Sequence, residues 1–150
     1  MGATRAIVAI MDLDQALALA AEQLGTDRIR DAVVFGSAPM ALAGLPRAPR
    51  DLDLFLSPRL YAELREGGVE ERRDEHGHPF LQLAPGIEAW ASFPGVTWEQ
   101  VHARARLDPR AHGLRVADLG HVRTYKSALV RPSDQADIQL IDALLGSSQR

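Results

Sequence analysis

Hydrophobic positions along the chain recur with two periods, and the periods predict the elements. Leu13, Leu17, Ala20 and Leu24 fall at helical spacing, so a helix is expected from about Leu13 to Leu24, opened by Asp12 as N-cap and stopped at Gly25. Ala32-Val33-Val34-Phe35 is a short apolar run between Asp31 and Gly36, which suits a buried strand. Ser37 to Ala43 reads as a short helix closed by Gly44 and Pro46. From Asp51 to Leu56 the pattern alternates. Leu52, Leu54 and Leu56 share one face of the expected strand, and Asp51, Asp53 and Phe55 share the other.

Further on, a helix is expected from Pro58 to Arg65, ending at Gly67-Gly68. Strands follow near Val69–Asp74, Pro79–Leu83 and Ile87–Phe93, with a polar turn Glu75-His76-Gly77-His78 between the first two. In the last of them Glu88 and Trp90 face one way and Ile87, Ala89 and Ala91 the other. Thr97 caps a helix to about Arg106, Leu114-Arg115-Val116 is a small strand, and Asp118 caps a helix to Leu129. Pro132 stands at the first position of a final helix with Ile138, Ile141, Leu144 and Leu145 as its apolar stripe. This order predicts an α/β (α+β) domain, a small mixed sheet with helices packed on it. It forms one unit over residues 1–150 that includes C-terminal helices from about residue 118.

Composition changes the picture only by exclusion. With 150 residues, 46% hydrophobic and 25% charged, the chain can build a core without staples. There is no cysteine, which removes disulfides, zinc-thiolate sites and thiol nucleophiles. The apolar stretch before Asp12 is too short for a signal-peptide core or a membrane span, so a cytoplasmic protein with no membrane partner is expected. A formal charge of −3 argues against broad, sequence-independent nucleic-acid binding.

The candidate chemistry lies in Phe35-Gly36-Ser37, thirteen intervening residues, and Asp51-Leu52-Asp53. A glycine after a buried strand lets a ligand approach the backbone, and free N–H groups at a helix start, with the Ser37 hydroxyl, can hold phosphate. Two carboxylates at i and i+2 on one strand face offer hard oxygen ligands suited to Mg²⁺. An ordinary turn and a solvated strand face are the plain alternatives for each part taken alone.

In this order and spacing the segment resembles the nucleotidyltransferases of the DNA polymerase β type, in particular small bacterial members related to abortive-infection toxins and antibiotic nucleotidyltransferases. Arg47-Ala48-Pro49-Arg50-Asp51-Leu52-Asp53 is similar to their Arg-x-Thr-x-Asp-x-Asp, with Pro49 in place of Thr. Lys126, followed by Arg131-Pro132-Ser133-Asp134-Gln135-Ala136-Asp137-Ile138, resembles their Lys and Arg-x-x-Asp-x-x-Asp pattern. The likeness spans about Val33 to Leu145. It implies a minimal nucleotidyltransferase fold in which Asp51, Asp53 and Glu88 (the last replacing a third Asp) hold Mg²⁺ or Mn²⁺ and carry catalysis. Gly36, Ser37, Arg47 and Lys126 would then meet a nucleoside triphosphate. The implied reaction transfers a nucleoside monophosphate to a hydroxyl acceptor, which can be RNA, protein or a small molecule, and releases pyrophosphate. The other reading of the same fold is a silent nucleotide-binding or partner-binding module, such as one component of a toxin–antitoxin pair, and a partner protein or homodimer is open under both.

Several residues keep two readings. His76 and His78 are a metal pair or a polar turn. Trp90 stacks on a base or packs in the core, and Arg47 and Arg50 meet phosphate or pair with the aspartates. Asp134 and Asp137 offset the dipole of the last helix or sit beside Lys126. His102 and His112 are expected at the surface, and the mixed-sign run from Glu70 to Glu75 in a solvated strand end.

Overall fold

A computed structural model of the chain describes residues 12–129 and 131–148; the apolar stretch before Asp12 lies outside them. Six helices are described: α1 (Leu13–Leu24), α2 (Ala38–Leu42), α3 (Pro58–Glu66), α4 (Trp98–Arg104), α5 (Leu119–Leu129) and α6 (Pro132–Ser148). Seven strands, β1 (Ala32–Phe35), β2 (Leu52–Leu56), β3 (Glu71–Arg73), β4 (Pro79–Ala84), β5 (Ile87–Trp90), β6 (Arg106–Leu107) and β7 (Arg115–Val116), form one mixed sheet in the order β3-β4-β5-β2-β1-β7-β6. The fold is therefore of the mixed α+β class. Among the described residues no helix is long and apolar enough to cross a membrane.

Local chemistry accounts for most boundaries. The Asp12 side chain accepts from the Gln15 N–H at the start of α1, and Gly25 ends the helix with φ +81°, a value that favours glycine. Thr97 and Gln100 form a reciprocal capping box on α4. Helix α4 stops at Arg104, short of the expected Arg106, because Ala105 turns extended and Arg106–Leu107 pair with β7. Strand β3 is shorter than expected at both ends. Its residues are exposed and belong to the sheet only through pairing with β4.

The central strands divide the core by alternation. On one face Ala32, Val34, Leu52, Leu54, Leu56, Ile87 and Ala89 pack against Leu17, Ala20 and Leu24 of α1 and Leu60, Tyr61 and Leu64 of α3. On the other, Val33, Phe35 and Phe55 pack against Phe93, Val101 of α4, Val122 of α5 and Ile141 of α6. Phe35, Phe55, Phe93 and Tyr125 meet ring to ring with centroids 4.6–5.5 Å apart. Asp53, Glu88 and Trp90 belong to this second face, where Trp90 packs on Phe93, and Asp51 lies in the bend just before β2.

Helix α3 depends on one buried cap. Ser57 Oγ accepts from the Leu60 N–H at 3.1 Å and is almost fully enclosed. Ser57→Ala leaves that donor unpaired, and we expect a loss of about 1 kcal/mol. A lower urea midpoint at unchanged m-value is the measurement that checks it.

Candidate functional site

The sheet register brings the carboxylates together. Strands β2 and β5 run parallel, and Asp53 pairs with Glu88 in register. Neighbouring strands stand about 4.8 Å apart, so the two side chains rise side by side. Asp51 precedes Asp53 by two residues on the same face. The backbone beside it is fixed where the Leu52 N–H donates to the Gly86 carbonyl at 2.7 Å. On the other flank β1 is antiparallel to β2, and Phe35 pairs with Asp53. The chain then turns at Gly36, directly above the carboxylate.

Gly36 is required there for two separate reasons. Its φ is +70°, and a Cβ built on it would lie 2.7 Å from Asp53 Oδ2. Any side chain would be strained by the backbone and would collide with the carboxylate. Ser37 follows at φ −88°, ψ −16°. A left-handed residue followed by a right-handed one turns successive N–H groups toward one side, a concavity that suits an anion. The Ser37 hydroxyl does not cap α2. It accepts instead from Lys126 Nζ at 3.3 Å. Because an ammonium can only donate, the Ser37 hydroxyl keeps its own proton for another acceptor.

Charge is distributed unevenly over this small region. Asp53 is pushed up to about 7 by burial and by the neighbouring carboxylates of Glu88 and Asp51, against the indole of Trp90 and the charge of Lys126. Glu88 is also raised, by burial and by Asp51 and Asp74. Tyr125 is pushed up to about 12 by burial and by the Asp53 charge. Asp53 and Glu88 are therefore disfavoured as anions, and the charge of Lys126 offsets this at Asp53 only in part. Three hard oxygen donors, with Asp53 and Glu88 raised in proton affinity, fit a divalent cation by chemistry. Their side chains do not yet converge: among the described residues no three His, Cys, Asp or Glu groups are poised around one point.

Beside this cluster lies a second one with the opposite balance. Lys126 is buried and pairs with Asp137 at 2.9 Å and Asp134 at 3.8 Å. Asp137 also receives Arg47 Nε at 2.9 Å, and Asp134 is gripped by Arg131 at 2.7 and 3.1 Å. Burial alone would raise Asp134, but the Arg131 hydrogen bonds and the charges of Arg131 and Lys126 hold it below the usual range. The network ties Ser37, the loop that carries Arg47 toward Asp51, and the start of α6 to one another.

Each candidate residue now has a place. Asp51, Asp53, Glu88, Gly36 and Ser37 share one end of the sheet. Lys126 reaches the turn through Ser37, and Arg47 faces Asp137 rather than the strand carboxylates. Asp134 and Asp137 stand beside Lys126. Trp90 packs on Phe80 and Phe93, and its Nε1–H donates to Asp53 Oδ1 at 3.2 Å. His76 and His78 lie in a turn whose backbone N–H groups both bond Asp74. His102 stacks on Trp98, with its Nε2 2.9 Å from the Arg30 carbonyl, and His112 meets Asp14. The aromatic rim supplied by Tyr125 had no signal in the sequence beyond helical spacing. No protein-family model, no curated protein and no solved structure matches the chain.

Two predictions follow from the charge balance. The folded protein binds a proton at Asp53 that the unfolded chain has already released above about pH 4, so this residue lowers stability as pH rises from about 4 to 7, and the penalty persists above that. In a chelator, Asp53→Asn should match the parent at pH 4 and exceed it by about 1–3 kcal/mol at pH 8, allowing for screening at a partly exposed site. Urea titrations at the two pH values measure this, and a constant difference would contradict it. Lys126→Met leaves two buried carboxylates short of their cation and should cost about 3–5 kcal/mol. The same unfolding titrations should show that Lys126→Met combined with Asp137→Asn recovers part of that loss.

Proposed function

We propose that the chain is a minimal divalent-cation-dependent nucleotidyltransferase of the DNA polymerase β type. The observation that carries this reading is the register of Asp53 beside Glu88, with Asp51 on the same face and the Gly36–Ser37 turn directly adjoining. Charged oxygen ligands and an anion-accepting turn are the two things a triphosphate requires, and here they meet at one end of one sheet.

Asp51, Asp53 and Glu88 would hold Mg²⁺ or Mn²⁺. When bound, such ions neutralise triphosphate charge and stabilise the entering and leaving oxygens of an in-line displacement. The chain's own residues do the rest by positioning, which is the main demand of phosphoryl transfer. The N–H groups of Gly36 and Ser37, with the Ser37 hydroxyl, would receive the outer phosphates. Lys126 fixes that hydroxyl's direction, since the serine oxygen accepts from it. The partly buried Glu88, with its raised proton affinity, suits the role of taking the proton from an acceptor hydroxyl. The hydroxyl oxygen would form the new bond to the α-phosphorus, and pyrophosphate would leave.

A second reading has its own support. Lys126 and Arg47 are both committed to Asp137, and the three strand carboxylates have not converged. Those features favour a module that binds nucleotide or a partner without turnover, such as half of a toxin–antitoxin pair.

A thermal-shift and label-transfer pair separates the readings. Mg²⁺ with a nucleoside triphosphate should stabilise the protein, and α-labelled triphosphate should give labelled product and pyrophosphate with a cell extract as acceptor source. Asp51→Ala should reduce transfer by about 10²-fold or more, the scale expected for lost electrostatic stabilisation. Stabilisation without labelled product would support the binding module. A Mg²⁺-dependent shift that survives Asp53→Ala would overturn both.

A further inference from the structure

The hydrogen bond from Trp90 to Asp53 crosses between strands. Trp90 follows Glu88 by two residues on β5, so both project on the face of Asp53, and Trp90 stands in register with Phe55. Its ring is wedged against Phe80 and Phe93, with centroids 4.8 and 5.8 Å away. A ring held in this way cannot turn freely, and its only polar atom is aimed at Asp53 Oδ1. The other carboxylate oxygen lies against the Gly36 backbone, where even a Cβ would not fit. Asp53 is thus held at Oδ1 by the indole, and Oδ2 occupies the space that Gly36 leaves by having no side chain.

The choice of donor matters. A lysine or arginine in the same place would neutralise the cluster and compete with a cation. An indole N–H fixes direction while leaving the negative charge intact. Hydrogen bonds of this outer-shell kind orient ligating groups, and their loss typically costs about 10–100-fold in metal affinity.

We propose that Trp90 is a positioning residue for Asp53: its indole Nε1–H anchors Asp53 Oδ1, so that a divalent cation meets the Asp53 carboxylate in one fixed orientation and Asp51 and Glu88 close on it from there. This rests on the reading of those three carboxylates as a cation site. It also gives the chain a built-in reporter, because Trp98 is the only other tryptophan and does not bond Asp53.

The full chain, labelled with ¹⁵N, gives two indole N–H signals, which Trp98→Phe assigns. Titration with Mg²⁺ should move the Trp90 signal and leave that of Trp98 in place. Trp90→Phe keeps an aromatic ring against Phe80 and Phe93 but removes the donor. It should weaken Mn²⁺ binding, read by electron paramagnetic resonance, by about 10-fold or more, while Trp98→Phe leaves it unchanged. Should Trp90→Phe fail to fold, the indole signal of the unaltered chain decides. An unmoved Trp90 signal at saturating Mg²⁺ overturns the proposal, as does Mn²⁺ affinity in folded Trp90→Phe within about twofold of the parent, below the range expected for such a bond. In both cases binding that is lost in Asp51→Ala shows that the cation site itself stands. Parent protein that binds no more Mn²⁺ than Asp51→Ala overturns the cation site, and the role of Trp90 with it.

Discussion

A carboxylate on the central strand of a sheet, between Phe35 on one side and Glu88 on the other, is the constraint around which this structure is arranged. Asp53 lies on the fourth of seven strands, where burial and two like charges all oppose its ionisation. A neutral residue there would meet no such charge penalty. The chain instead gives up a side chain at Gly36 to make room for one oxygen and commits an indole to the other. Local rules broken at one place and satisfied elsewhere are what a functional site looks like in an otherwise consistent fold.

The contrast with Lys126 sharpens the point. Two carboxylates, Asp134 and Asp137, also surround this residue, but there the cation is present in the sequence and the network is nearly saturated with hydrogen bonds. Two carboxylates likewise neighbour Asp53, and Lys126, paired with Asp137 and Asp134, offsets their effect only in part. The clusters touch through Ser37, whose oxygen belongs to the neutralised side and whose proton remains available to the other. A rigid, internally paired support thus abuts a site whose like charges are only partly offset.

Periodicity made most of this fold legible. Alternation over Asp51–Leu56 assigned both faces of β2 correctly, and capping residues marked α1, α4 and α6 within a residue or two. What it could not supply is which strands are neighbours. The alternation of Glu88 and Trp90 gave their common face, but only the parallel pairing of β5 with β2 puts them beside Asp53. Strand β6 escaped notice because two exposed residues carry no pattern; pairing with β7 alone defines it. From the sequence Arg47 either meets phosphate or pairs with the strand aspartates, yet it reaches across 90 residues to Asp137, a contact set by where α6 docks. Long-range ion pairs have no period, so a sequence shows their members but not their partners.

The shape of the site bears on its chemistry as much as its charges do. A cavity of about 500 Å³, lined by Leu42, Leu107, Leu119 and Leu145 among others, includes none of the residues of the carboxylate face. A deep apolar pocket is the usual expectation for a small organic ligand, whose affinity comes from burying apolar surface. A polyphosphate has little such surface. Its binding depends on fixed donors, fixed acceptors and cations, all of which operate on an open face so long as the groups are rigid. Rigidity is what Gly36, Trp90 and the Lys126–Asp137 pair contribute here. A half-buried, acidic, rigid face such as that of Asp53 and Glu88 is therefore no weaker a candidate than an enclosed apolar pocket.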